Sequence, residues 1–190
     1  KENMYVLDTP ILSNSQFIKF KKYFERNSKV IDCTFSKDDN LKNSLDKIRS
    51  LSEVAAREGL KQLILTDKKV DENKLAIPMV LAVGAINSHL IKKSLRGFVN
   101  LNIETGDTLD THSYATLLGV GATTINPYLA LDSIFQRFEK NLFGNLNIED
   151  CIKRYIKSVN NGILKIMSKM GISVLSSYRG GCNFETVGLS

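Results

Sequence analysis

The stretch KQLILTD, Lys61–Asp67, reads as a short strand with an almost unbroken apolar centre. A strand with one wet face alternates apolar and polar residues. One that does not alternate is buried on both faces, the habit of parallel sheets covered by helices. Its surroundings fit. Upstream, the spacing of Leu41, Leu45, Ile48, Leu51, Val54 and Ala55 predicts a helix from about Asn40 to Glu58, stopped by Gly59. Before that helix, KVIDCTF (Lys29–Phe35) is short and β-branched, a second strand. Downstream, KKVDENKLAI reads as a polar loop, and Pro78 suits the first turn of a helix through MVLAVGAINSHLIKKSLR, closed by Gly97. FVNLNIETGD then supplies a strand that ends in a turn at Thr105–Asp107.

The alternation continues to the end of the chain. DTHSYATLLGVGA is a short helix with glycine at its end, TTINP (Thr123–Pro127) a fourth strand, YLALDSIFQRFEKNL a helix and FGNLN a turn. IEDCIKRYIKSVNNGILKIMSKM is a long helix, expected to kink or break near Asn160–Gly162 because glycine costs a helix interior about 1 kcal/mol relative to alanine. Gly171 stops it, and ISVLSSYRG is expected as a fifth strand. At the other end, MYVLDTPILS is extended, since Pro10 disfavours helix at Thr9. Ser13 or Asn14 can cap a helix over SQFIKFKKYFE that sets Phe17, Phe20 and Phe24 on one side. Strands near residues 30, 62, 98, 123 and 173, with helices between them, predict a single α/β domain over residues 1–190, built of repeated β-α units on a mainly parallel sheet. A partial β/α-barrel-like arrangement and an open doubly wound sheet both satisfy this order.

Composition narrows the function classes. With 43% hydrophobic and 24% charged residues over 190 positions, the chain can build one full core and is not disordered. The longest apolar run, IPMVLAVGAI (Ile77–Ile86), is far too short to span a bilayer, so no membrane partner is expected. The start has no charged-then-apolar leader, and Lys rather than Met stands at position 1, which fits a piece cut from a longer chain. Cys33, Cys151 and Cys182 are too far apart for a metal knuckle, so reduced thiols in a cytoplasmic protein are expected. The net charge of +6 comes from scattered groups such as Lys19, Lys21 and Lys22, Lys92 and Lys93, or Lys153, Arg154 and Lys157. Each lies in or beside a predicted helix, and no nucleic-acid motif accompanies them, so no nucleic-acid partner is expected. His89 and His112 lack ligand spacing, and no metal site is expected.

Three stretches could carry chemistry. ETGD (Glu104–Asp107), at a strand's C-terminal end, is either an acid pair on the ligand-binding edge or a turn in which Gly106 supplies positive φ and Asp107 caps the next helix; the turn is the favoured reading. GVGA (Gly119–Ala122) follows a helix and precedes a strand, the reverse of a dinucleotide fingerprint, and reads as a helix stop. KIMSKMGISVLSSYRGG gathers Lys165, Lys169 and Arg179 near Ser176, Ser177 and Tyr178. A phosphate or flavin site at this strand end would use Lys169, Ser177, Tyr178 and Arg179, the only cofactor-binding candidates. The structural account is that Lys165 and Lys169, four residues apart on a helix C-terminus, suit the helix dipole. No residue is assigned a catalytic role.

LDTPILSN, LILTD, IPMVLAVGAINSHLI, LRGFVNLNIETGD, GVGATTINPYLAL and LKIMSKMGISVLSSYRGGCNFETVGL, in order from Leu7 to Leu189, resemble the central domain of the glutamate synthase large subunit. INPYLAL and MSKMGIS…SYRG are the most specific pieces. The resemblance implies a parent enzyme in which an amidotransferase domain releases ammonia from glutamine. A central α/β domain links it to an FMN-binding β/α barrel, where 2-oxoglutarate becomes glutamate, and a C-terminal β-helix packs against both. FMN and an iron–sulfur cluster would serve the parent, with a small subunit or ferredoxin as electron donor. Neither cofactor is expected in this chain. It would cover most of the central domain, lack its front part, end near the FMN-barrel boundary, and have the amidotransferase and FMN-binding domains as partners. The chain departs from the family pattern in keeping only His89 of a histidine run, in HSY (with His112) for HHF, in GVGA for GYGA, and in SYRGGC for SYRGAQ, where Gly181 and Cys182 stand. The lost histidines speak against catalytic roles for His89 and His112. The expected role is a non-catalytic connector that walls part of the ammonia path. Tyr178 and Arg179 would touch the FMN domain and, in this chain alone, the segment from Tyr178 onward would face solvent and be mobile.

Overall fold

A computed structural model describes residues 5–181 and 183–185. The lead-in is extended, as Pro10 requires, and runs parallel to a strand: Leu12 donates its N–H to the Ile125 carbonyl and Ile125 to that of Pro10. Ser13 then caps α1 (Asn14–Tyr23) in a full capping box with Gln16. The sheet strands β1 (Ser28–Asp32), β3 (Gln62–Thr66), β5 (Asn100–Glu104) and β6 (Thr124–Asn126) are all parallel and stand in the order β1-β3-β5-β6. The chain returns between them through α2 (Leu41–Arg57), α3 (Met79–Lys92) and α4 (Thr111–Gly119). Each new strand is added on the same side of the last. A doubly wound sheet reverses direction once; among the described strands no reversal occurs, which is the order of a β/α-barrel sector.

The two faces of β3 explain the apolar run that predicted it. Leu63 and Leu65 join Leu101, Ile103 and Ile125 in one core with Ile48 of α2, Val83 and Ile86 of α3, and Tyr114 and Leu118 of α4. Ile64, between them, points the other way, into a smaller cluster with Leu12, Phe17 and Phe20 beneath α1. The sheet is therefore covered on both faces at β3, while Val30 at the β1 edge stays exposed.

Several expectations need correction. KVIDCTF is two strands: β1 ends at Asp32, whose Oδ1 accepts from both the N–H and the hydroxyl of Thr34, and β2 (Thr34–Ser36) leaves the sheet. β2 pairs antiparallel with β4 (Lys74–Ala76), a strand hidden in the stretch expected to be loop. That ribbon stands apart from the main sheet, so its residues show no core periodicity. α3 ends at Lys92, with Ser94 rather than Gly97 taking the left-handed turn. ISVLSSYRG is not a fifth strand. It forms a short helix, α7 (Leu175–Tyr178), while the place beside β6 is taken by the lead-in at Ile11. A short apolar run does not distinguish strand from helix.

After α5 (Tyr128–Glu139), α6 (Ile148–Lys169) runs unbroken through Gly162. The glycine is there for room: a Cβ would lie 2.5 Å from Cγ2 of Thr111, where α4 crosses α6. Gly162→Ala is therefore expected to destabilise the fold by about 1–2 kcal/mol through overpacking, although the same change in an open helix stabilises by about 1 kcal/mol. Urea denaturation measures the difference, and adding Thr111→Ala should recover much of the loss. A stabilised Gly162→Ala variant would contradict the close crossing.

Candidate functional site

Strand register levels the carboxyl ends of the sheet, so that Asp32, Thr66, Glu104 and Asn126 stand side by side. In parallel α/β folds this edge is where ligands are held. Glu104 is 4% exposed, yet Oε1 lies 2.9 Å from Nζ of Lys21, reaching over from α1, and 3.1 Å from Nζ of Lys68. Burial pushes the Glu104 carboxyl up. Hydrogen bonds from Lys21, Thr66 and Lys68, with the charge of Lys21, outweigh it and hold the carboxyl below its ordinary value. The Lys68 ammonium also sits 4.8 Å from the centre of the Tyr128 ring. Lys69 pairs with Asp32 at 3.4 Å.

Asp67, which closes the KQLILTD stretch, is buried. It accepts the Thr105 hydroxyl at 2.5 Å and the Gly106 N–H at 3.0 Å. Asp107 turns back to accept the Met79 N–H at 3.0 Å. It thus caps α3, where Pro78 offers no side-chain cap, while Asp110 caps α4 through the Ser113 N–H. The expectation that Asp107 caps the following helix is corrected on this point. So is the role of Gly106, whose φ is ordinary. A Cβ there would lie 3.0 Å from the Tyr128 hydroxyl, so the glycine makes space rather than a left-handed turn. Burial, then the charge and hydrogen bond of Asp67, push the Tyr128 phenol above its ordinary range.

The sheet face that carries Ile64 also carries buried polar side chains. Asn102 donates to Gln62 Oε1 at 2.9 Å and accepts from the Thr124 hydroxyl at 2.8 Å, a buried ladder across three strands. Among the described residues no buried side-chain nitrogen or oxygen lacks a partner. The carboxyl edge is thus a closed set of ion pairs and turn bonds. The surroundings thus favour the anion of Glu104 and the neutral phenol of Tyr128.

The four candidates read from the C-terminal stretch fall in different surroundings. Lys169, at the end of α6, and Ser177 are exposed. Tyr178 is fully buried and donates its hydroxyl to the Ala115 carbonyl of α4 at 3.1 Å. The expectation that Tyr178 faces solvent is overturned, because α7 turns the phenol into the core. The rest of that expected tail includes residues 182 and 186–190, which lie outside the described residues. Arg179 is half-buried. Among the described residues no hydrogen bond or ion pair joins Lys169 to the other three.

His89 bridges α2 and α3, with Nε2 2.7 Å from Oε2 of Glu53, and His112 sets its ring edge-on against Phe184. The buried Cys33 thiol is pushed up to about 12 by burial, then by the charges of Asp32 and Asp67. Cys151 is buried and free, and Cys182 lies outside the described residues. Sequence reasoning missed Asp67, Lys21, Lys68 and Tyr128. For Asp67 a signal existed: LILTD and NIETGD both end in acids, and as parallel neighbours they bring those acids together.

Residues 1–190 match the sequence family described as the glutamate synthase central domain. The chain is 46% identical over 187 residues to the glutamate synthase [NADPH] large chain of Azospirillum brasilense, and 41% identical over 186 residues to that of Bacillus subtilis. It is 38% identical over 198 residues to the ferredoxin-dependent glutamate synthase of rice. These alignments cover 97%, 97% and 96% of this chain, which spans 12% of each relative's length. Among solved structures, a mutant flavocytochrome b2 with benzoylformate superimposes on 75% of this chain and 35% of its own, with TM-score 0.54 and 13% identity. The dihydroorotate dehydrogenase of Eimeria tenella with ferulenol covers 82% and 38%, with TM-score 0.52 and 15% identity. At those identities the likeness is one of fold alone. Among the described residues no helix is long and apolar enough to cross a membrane.

Proposed function

Because the chain belongs to the glutamate synthase central-domain family, we propose that it is the connecting domain of an enzyme that makes glutamate from glutamine-derived ammonia and 2-oxoglutarate. Residues 1–190 form one α/β domain in this reading. It holds an amidotransferase domain and an FMN-binding barrel in register and walls part of the ammonia path between them. A wall must keep ammonia out of bulk water. That calls for fixed shape and satisfied polar groups, not titrating ones. The observation that carries the proposal is the closed carboxyl edge. At the place where such a sheet would bind a substrate, Glu104, Asp67 and Asp107 are spent on Lys21, Lys68, Thr105, Gly106 and the α3 N-terminus.

FMN and an iron–sulfur cluster belong, in this reading, to other parts of the parent, and its electrons come from a small subunit or ferredoxin. Relatives named for NADPH and for ferredoxin both align over nearly the whole chain, so this segment does not choose the donor. The buried free thiols suit a reducing compartment, and we place the enzyme in the cytoplasm. The 190-residue chain, given glutamine, 2-oxoglutarate, FMN and a reductant, is expected to form no glutamate; glutamate formation would sink the connector role. The alternative is an independent FMN- or phosphate-binding domain using Lys169, Ser177, Tyr178 and Arg179. It requires a free Tyr178 hydroxyl, which here is committed to Ala115. FMN fluorescence titration separates the two readings, since stoichiometric tight binding to the chain would favour the alternative.

A further inference from the structure

We infer that β1 is a docking edge, which receives an extended segment of the parent protein from beyond these 190 residues as a further strand of the sheet. The inference rests on the reading of the chain as one domain of a larger enzyme. A closed barrel has no edges, whereas a sector has two. Here the two are treated differently. At β6 the lead-in seals the edge through the Leu12 N–H, 2.9 Å from the Ile125 carbonyl, and the Ile125 N–H, 2.8 Å from that of Pro10. At β1 nothing among the described residues does so, and the strand pairs with β3 alone. Cys33, the residue after β1, donates its N–H to the Thr66 carbonyl of β3 at 2.8 Å. Backbone groups alternate sides along a strand. Ile31 and Lys29 therefore also face β3, while Val30 and Asp32 turn their N–H and C=O groups outward. Among the described residues no hydrogen bond reaches the Val30 N–H or carbonyl.

The side chains agree with the backbone. Val30 stands opposite Ile64, on the face that α1 covers with Phe17 and Phe20, yet it is 53% exposed. The cover stops one strand short of the edge. On the other face Lys29 is exposed and, among the described residues, has no ion pair. The five residues of β1 contain no proline that would blunt the edge. A row of outward N–H and C=O groups selects one kind of partner, another extended backbone. An apolar side chain of that partner completes the cover over Val30, and an acidic one beside Lys29 complements its charge. Relatives of which this chain spans 12% have ample chain to supply such a segment.

The test uses the whole parent enzyme and reads amide hydrogen exchange residue by residue. The outward N–H groups of Val30 and Asp32 are expected to exchange at least about a hundred-fold more slowly than unstructured amides, as paired strand groups do. Val30→Pro removes one of them. Proline is tolerated on a strand edge whose N–H faces away from the sheet, so residues Gln62–Thr66 should stay protected. Protection should be lost at Asp32 and in one peptide outside residues 1–190, which is the docked strand. A photo-cross-linking phenylalanine analogue in place of Val30 should join that same peptide, and it decides the matter even if the proline variant unfolds. Free exchange at Val30 and Asp32 in the natural parent would overturn the proposal. So would a cross-link to residues 1–190, whether of the same chain or of a second copy. Exchange and cross-linking read contact rather than ammonia transfer, so their failure leaves the connector role standing, and failure of the connector role does not open the edge.

Discussion

Glu104→Ala is expected to lower the unfolding free energy at pH 7 by about 2–3 kcal/mol, because it strips the shared anion from two lysines and leaves a polar hollow in a buried edge. Lys21 and Lys68 are each partly exposed, so water recovers some of the loss and the effect stays below that of a fully buried pair. Glu104→Gln refines the measurement. The Glu104 carboxyl is held below its unfolded value, near 4.5. A group of that kind contributes stability that is complete above the unfolded value and is lost as pH falls through the lower folded one. Urea denaturation of the natural chain and of Glu104→Gln should therefore differ most above about pH 5 and converge as acid protonates Glu104 in both states. A difference that stays constant from neutral to strongly acidic pH would mean that the ion pairs do not set this carboxyl.

The same edge shows how far sequence reasoning reaches. The apolar centre of KQLILTD reports burial on both faces, and burial on both faces implies a parallel sheet. That inference needs only local pattern, and β3 bears it out with Leu63 and Leu65 on one side and Ile64 on the other. Helix ends were legible in part: Ser13 caps α1 as its side chain suggests, but Asp110 rather than Asp107 caps α4, and Ser94 rather than Gly97 takes the turn after α3. The turn reading of ETGD was right in kind and wrong in cause. Gly106 and Gly162 are glycines because Tyr128 and Thr111 arrive from elsewhere in the chain, and no local pattern announces a neighbour 22 or 51 residues away. Lys21 is further still from Glu104, 83 positions along the chain. The fifth strand failed for a related reason. Whether an apolar segment joins a sheet depends on whether its edge is vacant, and the lead-in at Ile11 already lay beside β6.

Gly121→Ala is expected to be the most damaging single methyl in the chain, costing about 3–4 kcal/mol. Gly121 has φ of 124° and is the second glycine of the GVGA stretch, just past the end of α4. A side chain in left-handed backbone costs about 1–2 kcal/mol. The new Cβ would also lie 2.6 Å from both Cγ and Oδ1 of Asn87, an overlap worth a further 1–3 kcal/mol or so. Asn87 cannot step aside cheaply, because its Oδ1 holds the Arg96 Nε at 2.6 Å while Arg96 holds the Gly121 carbonyl itself. The methyl therefore pushes against a ring of contacts that closes on its own residue. Two comparisons isolate the causes. Gly59 also has positive φ, 84°, but a Cβ there meets nothing within 4 Å, so Gly59→Ala should show the conformational cost alone, about 1 kcal/mol. Asn87→Ala combined with Gly121→Ala should cost about 1–2 kcal/mol less than the two changes summed, since removing the amide also removes the clash. Denaturant titration of the four variants gives the cycle. If Gly121→Ala is no worse than Gly59→Ala, Asn87 is free to move, and the Arg96 guanidinium it holds is not rigidly fixed.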